Sequence, residues 1–217
     1  MTLAYDTHSN AAPLAIAEVM QRMGLKMAFA KDEEIFAQDE DADMVHMVVA
    51  GAVRTTRLLA DGRRQVGAFY YPGDLIGLET GAVHRFSAEA ICDAVVLVVR
   101  RASLKTMVAE GQLDRAIWEA TRRELERTQD HLLVLGRKTA CEKVASFLMG
   151  LAQREHAAND ARVSMPMSRQ DMADYLGLTI ETVSRMLTQL QGQSVVEFDG
   201  CRKFKVKRWE TLEEMAA

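Results

Sequence analysis

SRQDMADYLGLTIETVSRMLTQL, residues 168–190, is the stretch that decides the fold. It reads as two short helices joined by a tight turn. Ser168 can cap the first helix, and Asp171, three residues on, can answer the amide of the cap. Gly177 supplies a turn conformation that a residue with a Cβ resists. Thr179 can cap the second helix, and Glu181 sits where the positive end of a helix dipole favours an anion. Ala173, Gly177 and Val183 fall where a helix-turn-helix needs a small residue, a turn residue and a core residue. Two such helices can touch through Ala173, and the second can lie in a DNA groove.

The second helix divides by face. At roughly 100° per residue, Val183, Met186, Leu187 and Leu190 share one side and predict a core stripe. Glu181, Ser184, Arg185 and Thr188 share the other side, which is short and polar. An arginine there can grip guanine O6 and N7 with two hydrogen bonds, and a glutamate can accept from cytosine N4. A neighbouring Glu and Arg on an exposed helix is also a common surface pairing, so the caps, Ala173 and Gly177 carry the reading as much as Arg185 does.

YLGLTIETVSR, residues 175–185, resembles the recognition segment of the CRP/FNR superfamily of bacterial transcription regulators. The Glu181-x-x-Ser184-Arg185 arrangement is similar to its FNR and FixK branches. The resemblance runs from about residue 30 to the end. It implies that Glu181, Ser184 and Arg185 contact bases of a TTGAT half-site repeated as ATCAA. It assigns Ser168, Arg169, Thr179, Ile180, Thr182 and Thr188 to backbone or flanking contacts, with Arg169 on a phosphate. Ile180 stands where the cAMP-receptor branch carries an arginine.

The whole chain permits this without announcing it. Its 217 residues suit one large domain or two small ones, and an apolar content of 48% is enough for real cores. The net charge of −4 is not that of an evident nucleic-acid binder. Cut after residue 160, the chain has 19 basic and 23 acidic residues before the cut and 8 of each after it. Five of those last eight basic residues are Arg202, Lys203, Lys205, Lys207 and Arg208, a local patch suited to phosphate. No stretch approaches the roughly 18 apolar residues of a membrane span, and no secretory signal pattern opens the chain, so no membrane partner is expected. Cys92, Cys141 and Cys201 are odd in number and far apart, which fits a reducing cytoplasm rather than a disulfide framework.

Ahead of the decisive stretch, Pro13 opens a helical segment with Leu14, Ala17, Met20 and Met23 or Gly24 spaced for one face. From about 27 to 100 the pattern is of short strands: Met44 to Val49, Val53 to Leu59 ending at Asp61-Gly62, Gly67 to Tyr71 before Pro72-Gly73-Asp74, and Ala88 to Val99. A small antiparallel barrel or roll is the expected outcome. VAGAVRTTRLLADGRRQ and YPGDLIGLE resemble the cyclic-nucleotide-binding β-roll of the same superfamily. A long helix fits 111–136, where Leu113, Ile117, Thr121 and Leu125, followed by Thr128, Leu132 and Leu135, form a mediocre pairing seam. That helix either packs on its own domain or, as the resemblance implies, forms a homodimer through Ile117, Leu125, Thr128, Leu132 and Leu135. Gly136 is expected as a hinge or cap before a helix over Thr139 to Ala152. A polar linker is expected over 157–164. Beyond the decisive stretch, Val195 to Phe198, Asp199-Gly200 and Lys203 to Val206 predict a hairpin, the wing of a winged helix.

The predicted architecture is therefore α+β: a β-roll over 1–110, a dimerisation helix over 111–136 and a winged helix-turn-helix over 137–217. The resemblance implies RNA polymerase as a further partner and control of low-oxygen, nitrogen-fixation or denitrification genes, most simply as an activator.

In the cAMP-binding branch a Gly-Glu pair holds ribose and an Arg-Ser pair holds phosphate; here Gly77-Leu78-Glu79 displaces the carboxylate and Arg85-Phe86-Ser87 splits the pair, so cAMP is not expected. An iron–sulfur cluster needs about four thiolates, and three distant cysteines cannot supply them, which points to the cluster-free FixK-like branch. Histidines 8, 46, 84, 131 and 156 lie scattered without a CxxCH motif, and any of them could ligate haem iron. No metal site is expected. A haem- or redox-dependent sensor of the same superfamily is the alternative, and a small-ligand-binding module is the alternative from another class. Cys201, beside Arg202 and Lys203, is either a redox-active thiol activated by positive charge or an inert loop cysteine. There is no P-loop, HExxH or GxSxG, and no enzyme activity is expected.

Overall fold

The computed structural model describes residues 14–79, 81–107, 112–155 and 161–217. The chain divides into two compact units, one made by Ser9–Leu125 and the other built on Glu126–Ala217. Among the described residues no helix is long and apolar enough to cross a membrane.

The first unit holds α1 (Leu14–Met23), β1 (Leu25–Phe29), β2 (Glu34–Phe36), β3 (Met44–Ala50), β4 (Val53–Leu58), β5 (Arg64–Tyr70), β6 (Leu75–Ile76), β7 (Ser87–Ala90), β8 (Ala94–Arg100), α2 (Arg101–Met107) and the start of α3 (Gln112–Arg137). Two four-stranded antiparallel sheets form, ordered β1-β8-β3-β6 and β2-β7-β4-β5. Phe29, Val48, Ile76 and Val96 of the first sheet meet Phe36, Val53, Tyr70 and Ala88 of the second in one buried cluster, as a roll requires. The Asp61-Gly62 hairpin lies where its residues predict it, with Gly62 at φ 82° and Val53 opposite Tyr70.

The face of α1 matches the expected one at Met20 and Ala17 and departs from it at Met23. Ile16, Val19 and Met20 pack against Val45, Met47 and Leu97, while Met23 is exposed. Ile16 and Val19 widen the buried face because their side chains have more area to remove from water than Ala17 has.

The second unit holds the rest of α3, then α4 (Ala140–Arg154), β9 (Arg162–Ser164), α5 (Arg169–Leu176), α6 (Ile180–Gly192), β10 (Val196–Asp199), β11 (Lys203–Val206) and α7 (Trp209–Ala216). Thr139 and Glu142 form a reciprocal capping box at the start of α4. Residues Lys143 to Ala152 are buried almost without interruption, so α4 is the central helix of this unit. Gly136 is neither cap nor hinge, because α3 continues through it to Arg137. The cap of the next helix is Thr139, whose hydroxyl offers an acceptor that glycine lacks.

Two elements escape the sequence reading. Part of the expected linker is strand β9, which pairs with β11 and makes the wing sheet three-stranded, ordered β10-β11-β9; residues 156–160 lie outside the described part. The terminal helix α7 packs on α4 through the buried Leu212 and Ala216. Lys138 Nζ donates to Ser146 Oγ at 3.0 Å and to the carbonyl of Ala216, placing a cation on the C-terminal end of α7.

Candidate nucleic-acid interface

The helix-turn-helix is built from its caps upward. Ser168 Oγ accepts from the Asp171 amide at 3.0 Å, and Asp171 Oδ2 accepts from the Ser168 amide at 2.9 Å. Each removal of such a cap costs about 0.5–2 kcal/mol. α5 ends at Gly177, which is left-handed at φ 62° and ψ 43°. Its amide, and that of Leu178 at 3.0 Å, donate to the Ala173 carbonyl. Lys143 reaches from α4, and its buried Nζ donates to the Leu176 carbonyl at 3.1 Å. That ammonium neutralises the C-terminal end of α5 at the turn. α6 then begins with Thr179 Oγ1 accepting from the Thr182 amide at 3.2 Å.

Val183, Met186, Leu187 and Leu190 are buried. Each is worth about 1.5–3 kcal/mol of burial, so the rotation of α6 is fixed by its apolar side. The opposite side faces solvent as expected: Glu181, Arg185 and Thr188 are exposed, and Ser184 is half-buried. Arg185 is exposed, has no hydrogen-bond partner among the described residues and is free to reach outward. Glu181 is held below the usual carboxylate range by its own backbone amide and by Thr179, so it stays ionised. Ser168, Arg169, Thr179 and Ile180 are exposed around the same edge, with Thr182 half-buried beside them. One contact was not legible beforehand: Arg169 Nη1 donates to Ser184 Oγ at 3.2 Å, tying α5 to the polar face of α6.

The wing carries Arg202, Lys203, Lys207 and Arg208 exposed and Lys205 half-buried. Part of this charge is already paired: Lys207 with Glu197 at 3.3 Å, and Arg162 with Asp199 at 3.3 Å. Cys201 is exposed in the wing turn next to Gly200, which has φ 67°. Cys92 and Cys141 are half-buried, and burial pushes the Cys141 thiol up.

On α3, Trp118 is 68% exposed, Leu125 57% and Leu132 62%, one heptad apart each. Thr128 is exposed and Leu135 half-buried. Ile117 differs from the expected seam, because it packs against the apolar cluster of its own unit. Trp118, one residue on, is the exposed apolar side chain at that end.

Arg85 is exposed, and Ser87 Oγ accepts from the Gln38 amide at 2.9 Å. Glu79 Oε1 lies 3.3 Å from His84 Nδ1, and the His84 ring stacks on Phe36 at 3.8 Å. Arg101 donates to the carbonyls of Gly77 and Glu79 at 2.7 and 2.6 Å. Among the described residues no group of three or more His, Cys, Asp or Glu could hold a metal ion.

Two domain descriptions match this chain: a cyclic nucleotide-binding domain over residues 26–110 and a Crp-like helix-turn-helix domain over 142–215. The nitrogen fixation regulation protein FixK of Azorhizobium caulinodans is 44% identical over 203 residues, spanning 92% of this chain and 82% of that protein. The chain belongs to the CRP/FNR family of transcription regulators. The transcriptional activatory protein AadR of Rhodopseudomonas palustris is 38% identical over 222 residues, 95% of this chain and 92% of that one. The solved structure of FixK2 from Bradyrhizobium japonicum superposes with a TM-score of 0.84 at 47% identity, covering 90% of this chain and 98% of that one. The CRP/FNR assignment thus rests on both units. It makes the chain a DNA-binding regulator and not an enzyme.

Proposed function

We propose that this protein is a FixK-like activator that reads a TTGAT-N4-ATCAA-type inverted repeat through α6. The observation that carries the proposal is the outward face of α6: Glu181, Ser184 and Arg185 are turned to solvent by a fully buried opposite stripe. Arg185 grips guanine, Glu181 accepts from cytosine N4, and Ser184 meets a third base. Ser168, Arg169, Thr179, Ile180, Thr182 and Thr188 flank these and take the sugar–phosphate backbone, with the basic wing adding phosphate contacts.

The operator is bound by a homodimer whose two recognition helices enter major grooves about 34 Å apart. The exposed heptad of Trp118, Leu125 and Leu132, extended by Thr128 and Leu135, supports α3 as the seam. In this reading the roll over 1–110 is scaffold, residues 111–136 dimerise and 137–217 bind DNA. The protein works in the cytoplasm, where its operators are, and acts on RNA polymerase as an activator. The names of FixK and AadR support nitrogen-fixation and related low-oxygen genes as its targets.

No resident cofactor is needed. The bonds of Ser87 to the Gln38 amide and of Arg101 to the Gly77 and Glu79 carbonyls support a roll without cyclic nucleotide. A featureless visible spectrum of the purified protein is expected; a Soret band would replace this reading with a haem sensor.

The deciding experiment is titration of the inverted repeat and its single-base variants. Arg185→Ala should lose about 1–3 kcal/mol and relax discrimination at one base pair of each half-site. An unchanged sequence preference in Arg185→Ala would remove α6 from its assigned role.

A further inference from the structure

We infer that Arg169 determines what Ser184 reads, so that this arginine is a positioning residue for base recognition as well as a phosphate contact. The inference rests on the reading of α6 as the recognition helix. The two residues are fifteen positions apart on different helices, and Arg169 Nη1 donates to Ser184 Oγ at 3.2 Å. The acids nearest to Arg169 on α5 have other bonds: Asp171 Oδ2 accepts from Ser168 and Asp174 Oδ1 accepts from Gln170 Nε2 at 2.7 Å. The guanidinium therefore crosses the turn to the recognition helix.

The consequence is a choice of hydrogen-bond polarity. A serine hydroxyl has one donor and two acceptor positions. Arg169 fills one acceptor position and places a positive charge beside the other. The amino groups of adenine N6 and cytosine N4 are donors, and they meet an oxygen already in use by a cation. Thymine O4, guanine O6 and the purine N7 are acceptors, and they meet a hydroxyl hydrogen strengthened by the bond behind it. Ser184 thus becomes a reader of acceptors. Thr188 does not compete, since its hydroxyl donates to the Ser184 backbone carbonyl at 2.9 Å. A guanidinium has five N–H donors, so the ones not used on Ser184 can take a phosphate oxygen at the same time. One side chain then links backbone docking to the reading of a base.

The test uses the full chain and the inverted repeat with every single-base variant of one half-site. Wild type is compared with Arg169→Ala, Ser184→Ala, the double variant and Arg185→Ala. All three sites lie off the buried stripe of α6, Arg169 and Arg185 exposed and Ser184 half-buried. Arg169→Ala should weaken every sequence by a common factor. Beyond that it should reduce the preference at one base pair by about three- to tenfold, the worth of one net hydrogen bond. That base pair should be the one flattened by Ser184→Ala, and the double variant should lose no more preference there than Ser184→Ala alone. A purely uniform loss in Arg169→Ala would overturn the inference and leave a phosphate contact. Independent, additive losses in the double variant would overturn it as well. If Ser184→Ala changes no preference, the inference also falls; a surviving effect of Arg185→Ala would then keep α6 as the recognition helix, and its absence would remove that reading too.

Discussion

Substituting Gly177 tests whether the turn between α5 and α6 depends on backbone conformation or on space. Its φ of 62° lies in the left-handed region, which costs a residue with a Cβ about 1–2 kcal/mol. A Cβ built there has Leu135 Cδ2 as its nearest neighbour, at 3.5 Å, an ordinary van der Waals distance. Gly177→Ala therefore carries the conformational cost and no clash. Stiffening the unfolded chain returns about 0.4–1 kcal/mol, so the net loss should be about 1 kcal/mol. Gly177→Asn should lose less, because asparagine tolerates this region, and Gly177→Val more, because of its branched Cβ. Urea unfolding at fixed protomer concentration measures the series, since stability in an oligomer depends on that concentration. Operator affinity of the folded variants should change little, because the bonds from Gly177 and Leu178 to the Ala173 carbonyl keep the turn closed. An Ala variant as stable as wild type would refute the left-handed turn. A loss above about 3 kcal/mol would refute the claim of free space, being larger than strain alone supplies.

Leu132→Asp puts a charge on the exposed heptad of α3; sedimentation should show monomer, and operator binding should fall with it, whereas a dimeric variant would place the seam elsewhere. His131 stacks on Tyr175 at 4.1 Å, and burial, with Arg127 and Lys143 adding to it, lowers its pKa to about 4. The unfolded chain takes up the proton near 6.5, so stability should be lost as pH falls from 6.5 towards 4; His131→Phe should flatten part of that decline, and His46, also lowered to about 4, contributes another part. Oxidation of Cys201 in the basic wing turn would add polarity or negative charge near phosphates, so peroxide should weaken operator binding in wild type and spare Cys201→Ser; equal sensitivity in both would assign the effect to another residue.

The helix-turn-helix was legible because each of its signals is local. A cap hydroxyl, an acid three residues on, a turn glycine and an apolar stripe with a 3.6-residue period can all be seen within 23 residues. The roll was legible through its turns: Asp61-Gly62 fixes a hairpin wherever two short strands flank it. What failed depended on partners distant in sequence. β9 is three residues long and is a strand only because β11 lies beside it. α7 is held by α4, some sixty residues earlier, and its own sequence offers no side-chain cap. Ile117 and Trp118 are neighbours of similar hydrophobicity, and only packing decides that the first joins the roll and the second faces solvent. In the candidate site, face and caps were readable, whereas Lys143 on the Leu176 carbonyl and Arg169 on Ser184 were not, since nothing local pairs those residues.

The charge of the chain misleads for a related reason. A net charge of −4 counts all residues equally, but a DNA interface responds to the charges that face it. Two lysines of the second unit, Lys138 and Lys143, are spent on helix ends, and Lys207 and Arg162 are paired with acids. The recognition helix then presents Glu181, a carboxylate kept ionised by the cap that starts the helix. Beside phosphate this charge is unfavourable on any sequence. It is compensated only where cytosine N4 donates to it. In the proposed reading, Glu181 contributes mainly by penalising wrong sites, while Arg185 contributes by favouring right ones. The two lie four positions apart on α6, so the proposed reading has each half-site judged by an attraction and a repulsion together. Replacing Glu181 by Gln should accordingly raise affinity for non-specific DNA while narrowing the gap to the operator, and a salt titration of both complexes reads the two effects separately. An operator-to-random ratio equal to that of wild type would show that the carboxylate takes no part in the discrimination.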